Sequence, residues 1–245
     1  MIEAIIADVE RFGPPLLQGA VYTIGLCLFA SVLAVAVGLI ICLCKMSGIW
    51  ILNKTASLYV DIIRGTPLLL QLFYIYYALP DIGIVFSPFV AGVIGLTLNF
   101  GAYLAELFRS GIQSIEGGQN DAAKALALTP ADRMRFVILP QALRNIYPAI
   151  SNYALVLIKD SSLVATISVL ELMRTGELLA SATFEAMKIY TIVGLIYLVI
   201  SYIVAKAFLR GEKALSVPGM WGGQIEKGAP PKDVITAAKP KKGET

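Results

Sequence analysis

The sequence predicts an all-α fold, a polytopic membrane bundle of about five transmembrane helices, and three observations predict it. The chain is 57% hydrophobic and only 15% charged, with a mean hydropathy of +0.75, whereas soluble domains average about 25% charged residues. Uncharged or nearly uncharged runs long enough to cross a bilayer, about 20 residues each, recur along the chain. Lysine and arginine gather in alternate connections between those runs, the pattern that sets the orientation of membrane helices.

Taken in order, residues 1–19 form an N-terminal segment that opens with Glu3, Asp8, Glu10 and Arg11. A secretory leader instead opens with a basic region, so the first apolar run is expected to remain in the mature chain. Residues 20–44 carry no charge and make the first span. Residues 58–79 make the second, with Asp61 and Arg64 near its start and Pro67 within it; the Arg64-Gly65-Thr66-Pro67 stretch predicts a kink. Residues 88–108 make the third, with Glu106 near its end. Residues 146–170 make the fourth and carry Lys159 and Asp160 in the middle. Residues 171–188 read as a short amphipathic helix on the outer face, and residues 189–209 as the fifth span. The transmembrane domain is thus expected over 20–215, with a long cytoplasmic loop at about 110–145. A flexible cytoplasmic tail over 216–245 is rich in Gly, Pro and Lys.

The charges assign the sides. The first connection holds Lys45 and Lys54, and the third holds Arg109, Lys124, Arg133, Arg135 and Arg144. Residues 80–87, between the second and third spans, hold no Lys or Arg. The end of the chain carries Arg210, Lys213 and five further lysines. Counted this way the N-terminus is outside and the C-terminus inside.

Several function classes are disfavoured by the residues themselves. There is no histidine, the commonest general base and metal ligand. The cysteines, Cys27, Cys42 and Cys44, lie in one apolar run without the partners that a metal site needs. No metal, no cofactor and no catalytic residue are expected in this chain, because no acid–base or nucleophilic constellation is visible. Basic residues follow the topology rather than a patch, so nucleic acid is not an expected partner.

The cytoplasmic loop is the most informative segment. Asp121 is placed to cap a helix over 122–128, rich in alanine. Thr129 is placed to cap a second, with Pro130 in its first position and Asp132 near its N-terminus. Pro140 is expected to end it. Two short helices of this kind suit a knob that docks into a cytoplasmic partner. They suit equally an amphipathic hairpin lying on anionic headgroups.

This loop resembles the coupling loop of importer permeases of the ATP-binding-cassette class. Their pattern is Glu-Ala-Ala, a Gly four residues later, and a later Leu-Pro. Here it stands as Asp121-Ala122-Ala123, Ala127 and Leu139-Pro140, with Asp in place of Glu and Ala in place of Gly. Three further stretches are similar to the polar amino acid (histidine/glutamine/arginine-type) branch of that family: Arg64-Gly65-Thr66-Pro67-Leu68, residues 102–109, and Lys159-Asp160-Ser161-Ser162-Leu163. The resemblance spans about 19–215. It implies a type I importer permease in a bacterial cytoplasmic (inner) membrane, with 1–19 periplasmic. It implies ATPase coupling through Asp121, Ala122, Ala123, Lys124, Ala125, Leu126, Ala127 and Leu128. The implied partners are two ATP-binding cassette ATPase subunits that hold ATP and Mg, a second permease copy or paralogue, and a periplasmic amino-acid-binding protein. The chain has no Gly-x-x-x-x-Gly-Lys-Ser/Thr loop, so it would not be the enzyme that hydrolyses ATP.

Charges within spans are costly, at least about 2.5–3.5 kcal/mol each at the bilayer centre, and usually face a cavity or the bundle interior. Lys159 and Asp160 fit that description, and Ser161 and Ser162 suit a locally broken helix. Asn99, Tyr103 and Glu106 share one stripe of the third span. An amino acid carries both charges, so Asp160 or Glu106 is a candidate for its ammonium and Lys159 or Arg64 for its carboxylate. The alternatives stay open: Glu106 pairing with Arg109, Arg64 with Asp61, and Lys159 anchoring the helix at an interface. A stand-alone ion-coupled transporter or channel is the competing function.

Overall fold

Backbone polar groups inside a membrane must be satisfied within the chain, and the helix does this locally. The computed structural model describes residues 2–215, and all regular structure among them is helical. The expected tail over 216–245 lies outside the described residues. Helix α1 runs over Ile2–Met46 without a break at position 20, and Pro14 and Pro15 lie inside it. Each proline removes a helical N–H, but the turn they occupy is pinned to the core by Phe12 and Leu16, which are fully buried.

Helix α2 (Trp50–Gly65) and helix α3 (Leu68–Phe73) replace the single second span. A π turn over Tyr74–Ala78 and a 3-10 turn over Leu79–Ile82 extend α3. The two arms meet at 106°. Thr66 (φ −121°, ψ 145°) and Pro67 (φ −64°, ψ 138°) are both extended, because a residue before proline is excluded from the helical region. The kink read from the sequence is therefore a full break. Among the described residues four helices are long and apolar enough to span a membrane, or five when the bent pair is counted as one span.

Helix α4 (Pro88–Gln113) is the central column. Its start is capped by Ser87, whose hydroxyl accepts from Val90 N at 3.5 Å, and much of its length is buried. It lies directly on α1 at Gly38 and Gly101. A Cβ on Gly38 would sit 2.9 Å from Leu104 Cβ, and one on Gly101 2.8 Å from Val37 Cγ1. Small residues at a helix contact let two backbones approach, the main source of attraction between helices in lipid.

The loop after α4 departs from expectation in detail. Helix α5 spans Gly117–Ala125, so Asp121 lies inside it rather than capping it. Asp121 instead pairs with Lys124 at 2.9 Å, an i,i+3 contact between neighbours on one face of the helix. The hydrogen bond from Lys124 holds the exposed Asp121 carboxyl below its ordinary range. Helix α5 ends earlier than residue 128, in a closed C-terminal motif: Leu128 N donates to Ala123 O at 3.1 Å and Ala127 N to Lys124 O at 2.9 Å. Such an ending requires a left-handed residue, and Ala127 holds it at φ 54°. That conformation costs a residue with a Cβ about 1–2 kcal/mol. Ala127→Gly is therefore expected to stabilise the loop by about 1 kcal/mol. Hydrogen exchange of the amides over 117–135 checks this: slower exchange is expected, and unchanged protection would refute the strain.

Thr129 caps helix α6 (Pro130–Arg133) as read from the sequence, its hydroxyl accepting from Asp132 N at 3.1 Å. Pro140 does not end the helix. A π turn over Met134–Ile138, in which Leu139 N donates to Met134 O, leads straight into helix α7 (Leu139–Asp160). Proline falls in the first turn of α7, where its missing N–H does least harm. Helix α7 tightens into a 3-10 segment over Ser161–Ile167. The short amphipathic helix expected after the fourth span is α8 (Leu172–Thr183). Its buried residues Leu172, Gly176 and Ala180 pack into the bundle, where α8 contacts α1 and helix α9 (Ala186–Leu215).

Candidate membrane cavity and coupling loop

The break between α2 and α3 opens a cavity of about 550 Å³ between these helices, α4 and α7. Of the residues singled out in the sequence, Arg64, Asn99, Tyr103 and Asp160 line it. Thr66 and Tyr153 line it too and were not candidates. The Arg64 guanidinium lies over the Tyr103 ring, 5.3 Å from its centre, and Tyr103 and Tyr153 are 5.8 Å apart, centre to centre. The wall thus offers one cation, one carboxylate and two tyrosine rings, with Phe100 beside them. A cation over a ring is attracted by the ring's negative face, so Tyr103 gives the Arg64 guanidinium a fixed seat on the wall.

The remaining candidates go elsewhere. Glu106 shares the stripe of Tyr103, but its carboxylate is committed to Lys45 on α1 and to Arg109, whose Nε and Nη2 lie 3.0 and 2.7 Å away. The local pairing with Arg109 was legible from the i,i+3 spacing. Lys45 was not, because only the α1–α4 packing brings it there. Lys159 is exposed, and neighbouring positions on a helix point about 100° apart. Ser161 and Ser162 are engaged locally: each hydroxyl donates at 2.7 Å to a carbonyl three residues back, Ile158 O and Lys159 O. These bonds satisfy carbonyls where the helix tightens.

Asn99 is also engaged, its Nδ2 donating to Gln71 Oε1 at 3.0 Å. Glu171, at the start of the segment expected as a short amphipathic helix, is fully buried. It caps α8 by accepting from Arg174 N at 2.7 Å and accepts from the Tyr197 hydroxyl at 2.6 Å. A Glu just before a helix was the only available signal.

In the hairpin of α5 and α6 Ala123 is buried at 3% exposure, whereas Leu126 is 76% exposed. Asp121, Ala122, Lys124, Ala125 and Ala127 are exposed as well. The outward face of α5 is thus small and polar, with one large apolar residue at its tip.

Comparison with known proteins agrees with this architecture. Residues 30–210 match the family described as binding-protein-dependent transport system inner membrane component. The chain is 38% identical over 212 residues to the glutamine transport system permease protein GlnP of Escherichia coli (strain K12), covering 83% of this chain and 94% of that one. It is 40% identical over 197 residues to the probable amino-acid ABC transporter permease protein YckA of Bacillus subtilis (strain 168), covering 80% and 87%. Among solved structures it superposes on a chain of an amino acid ABC transporter crystallised with histidines, with a TM-score of 0.81 and 38% identity over 85% of this chain and 97% of that one. It shares its fold with a chain of the methionine transporter MetNI in an inward-facing conformation, with a TM-score of 0.64 at 20% identity over 89% and 100%. The chain therefore belongs to the binding-protein-dependent transport system inner membrane components, and its helical bundle is that of a type I ABC importer permease.

Proposed function

We propose that this permease forms the membrane pathway for a polar amino acid, with Arg64 receiving the substrate carboxylate and Asp160 its ammonium in the cavity beside the α2–α3 break. The observation that carries this reading is the cavity wall itself, where a guanidinium and a carboxylate share one space with two tyrosines. Charged groups within membrane spans mark substrate pathways, and a zwitterion needs both signs. The names of the relatives, which include glutamine and other amino acid permeases, support the cargo class.

The working complex in this reading has two ATP-binding cassette subunits holding ATP and Mg, a second permease copy or paralogue, and a periplasmic amino-acid-binding protein. The N-terminus lies outside and the C-terminus inside, and transport proceeds by alternating access. The loop over 110–145 then meets the ATPase, with Leu126 as the apolar anchor of the contact. Ala123 serves the hairpin from within, so a bulky residue there would break the hairpin itself.

Reconstitution of the permease with its ATPase subunits and binding protein in proteoliposomes tests both halves. ATP hydrolysis is expected to rise with one class of polar amino acids. Leu126→Glu is expected to reduce that stimulated hydrolysis by about tenfold or more, since it places a charge in an apolar contact. Stimulation that survives Leu126→Glu would remove the loop from coupling. Uptake driven by an ion gradient without any ATPase subunit would favour the stand-alone transporter.

A further inference from the structure

A helix that stops inside a membrane leaves its last carbonyls without partners, and the break at Thr66-Pro67 does this at the end of α2. One of those carbonyls, Ile62 O, accepts from the Thr66 hydroxyl at 2.9 Å. A second, Ile63 O, accepts from the side chain of Gln71 at 2.8 Å. The same Nε2 lies 3.1 Å from Thr66 O and 2.9 Å from Thr66 Oγ1. Gln71 belongs to α3, so its amide ties the end of one arm to the other across the 106° bend. Its Oε1 accepts from Asn99 of α4 at 3.0 Å, which fixes which way the amide faces. Asn99 is 6% exposed.

We propose that Gln71 is the positioning residue of the transport cavity, and that Asn99 acts through it rather than on the substrate. The amide holds the α2–α3 angle, and the angle sets where Arg64 and Thr66 stand on the cavity wall. A leucine at position 71 would fill similar volume but release Thr66 O and Asn99 together, and leave Ile63 O only the 3.5 Å contact from the Thr66 hydroxyl. The arms would then sample a range of angles, and Arg64 would leave its place over Tyr103. The inference rests on the reading of the cavity as the substrate site, so the experiment separates the two.

The full importer is prepared with Cys27, Cys42 and Cys44 replaced by alanine and spin labels at positions 58 and 74, both well exposed on opposite arms. The distance between labels is measured together with the half-saturating substrate concentration for transport. Gln71→Leu is expected to broaden the distance distribution and to raise half-saturation about tenfold or more, the scale expected of a misplaced binding group. Gln71→Glu, which keeps the volume and the acceptor for Asn99 but loses the donor, is expected to do the same. Asn99→Leu should match Gln71→Leu, and the double variant should be no worse than either, as for two residues in one linkage. Asp160→Asn serves as the control for the site. A narrow, unchanged distance in Gln71→Leu overturns the proposal, as does a broadened distance with unchanged half-saturation. A changed ranking of amino acids in Asn99→Leu that Gln71→Leu lacks would make Asn99 a substrate contact and overturn its part. If Asp160→Asn is also without effect, the cavity is not the site and the positioning role falls with it.

Discussion

Replacing Glu171 with alanine is expected to cost the bundle about 4 kcal/mol and to lower its melting temperature by about 10 °C. The carboxyl is fully buried, and it joins three helices. One oxygen accepts from Arg174 N at 2.7 Å at the start of α8. The other accepts from the Tyr197 hydroxyl of α9 at 2.6 Å and lies 3.4 Å from Thr23 Oγ1 of α1. Thr23 in turn accepts from Leu172 N at 3.1 Å, so the chain enters α8 through a closed polar knot. Alanine would remove the carboxylate acceptors of the Tyr197 hydroxyl and of Arg174 N, at about 1–3 kcal/mol each. It would add the cost of the emptied space. Glu171→Gln keeps an oxygen for the helix cap and nearly the same shape, and is expected to lose less than half as much. Thermal unfolding of both variants in detergent checks the pair. A Glu171→Ala chain that melts with the wild type would show that the knot does not hold α8.

The largest effect on transport is expected from Asp160→Asn, with half-saturation rising about tenfold to a hundredfold, the value of one hydrogen bond to a charged group. The reasoning is electrostatic. A substrate ammonium entering a cavity in the membrane loses its water, and a fixed carboxylate on the wall replaces it. Asparagine keeps the shape and removes the charge. Asp160→Glu should recover part of the loss, since it restores the charge with a different reach. Competition with a deaminated analogue of the preferred amino acid gives the internal check. The analogue lacks the ammonium, so it should bind the wild type and Asp160→Asn alike. Equal loss for substrate and analogue would mean that Asp160 shapes the cavity rather than meeting the ammonium.

Arg64 and Asp160 were legible as candidates because a charge in an apolar run stands out in one dimension. The partners that decide what each charge does were not. Glu106 and Tyr103 lie on one stripe of α4, yet Glu106 meets Lys45 from a position 61 residues away, while Tyr103 meets Arg64 and the cavity. Asp121 shows the same limit at short range. Its residue type favours a cap, but a partner three residues later favours the helix interior, and the helix runs through it. At Ala127 the resemblance pointed to a glycine position, and the left-handed backbone supplies the physical reason.

By itself the sequence determined the membrane class, the five hydrophobic segments, the break signal at Thr66-Pro67 and the cap at Thr129. Each depends on hydropathy or backbone sterics over a few neighbouring residues. Only the tertiary structure decided the 106° angle of the break, the seat of Gln71 between two helix arms and α4, and the burial of Glu171 against a threonine 148 positions away. These depend on which helices lie side by side. In a membrane that choice is made by close packing and by polar groups seeking partners, which no stretch of neighbouring residues records.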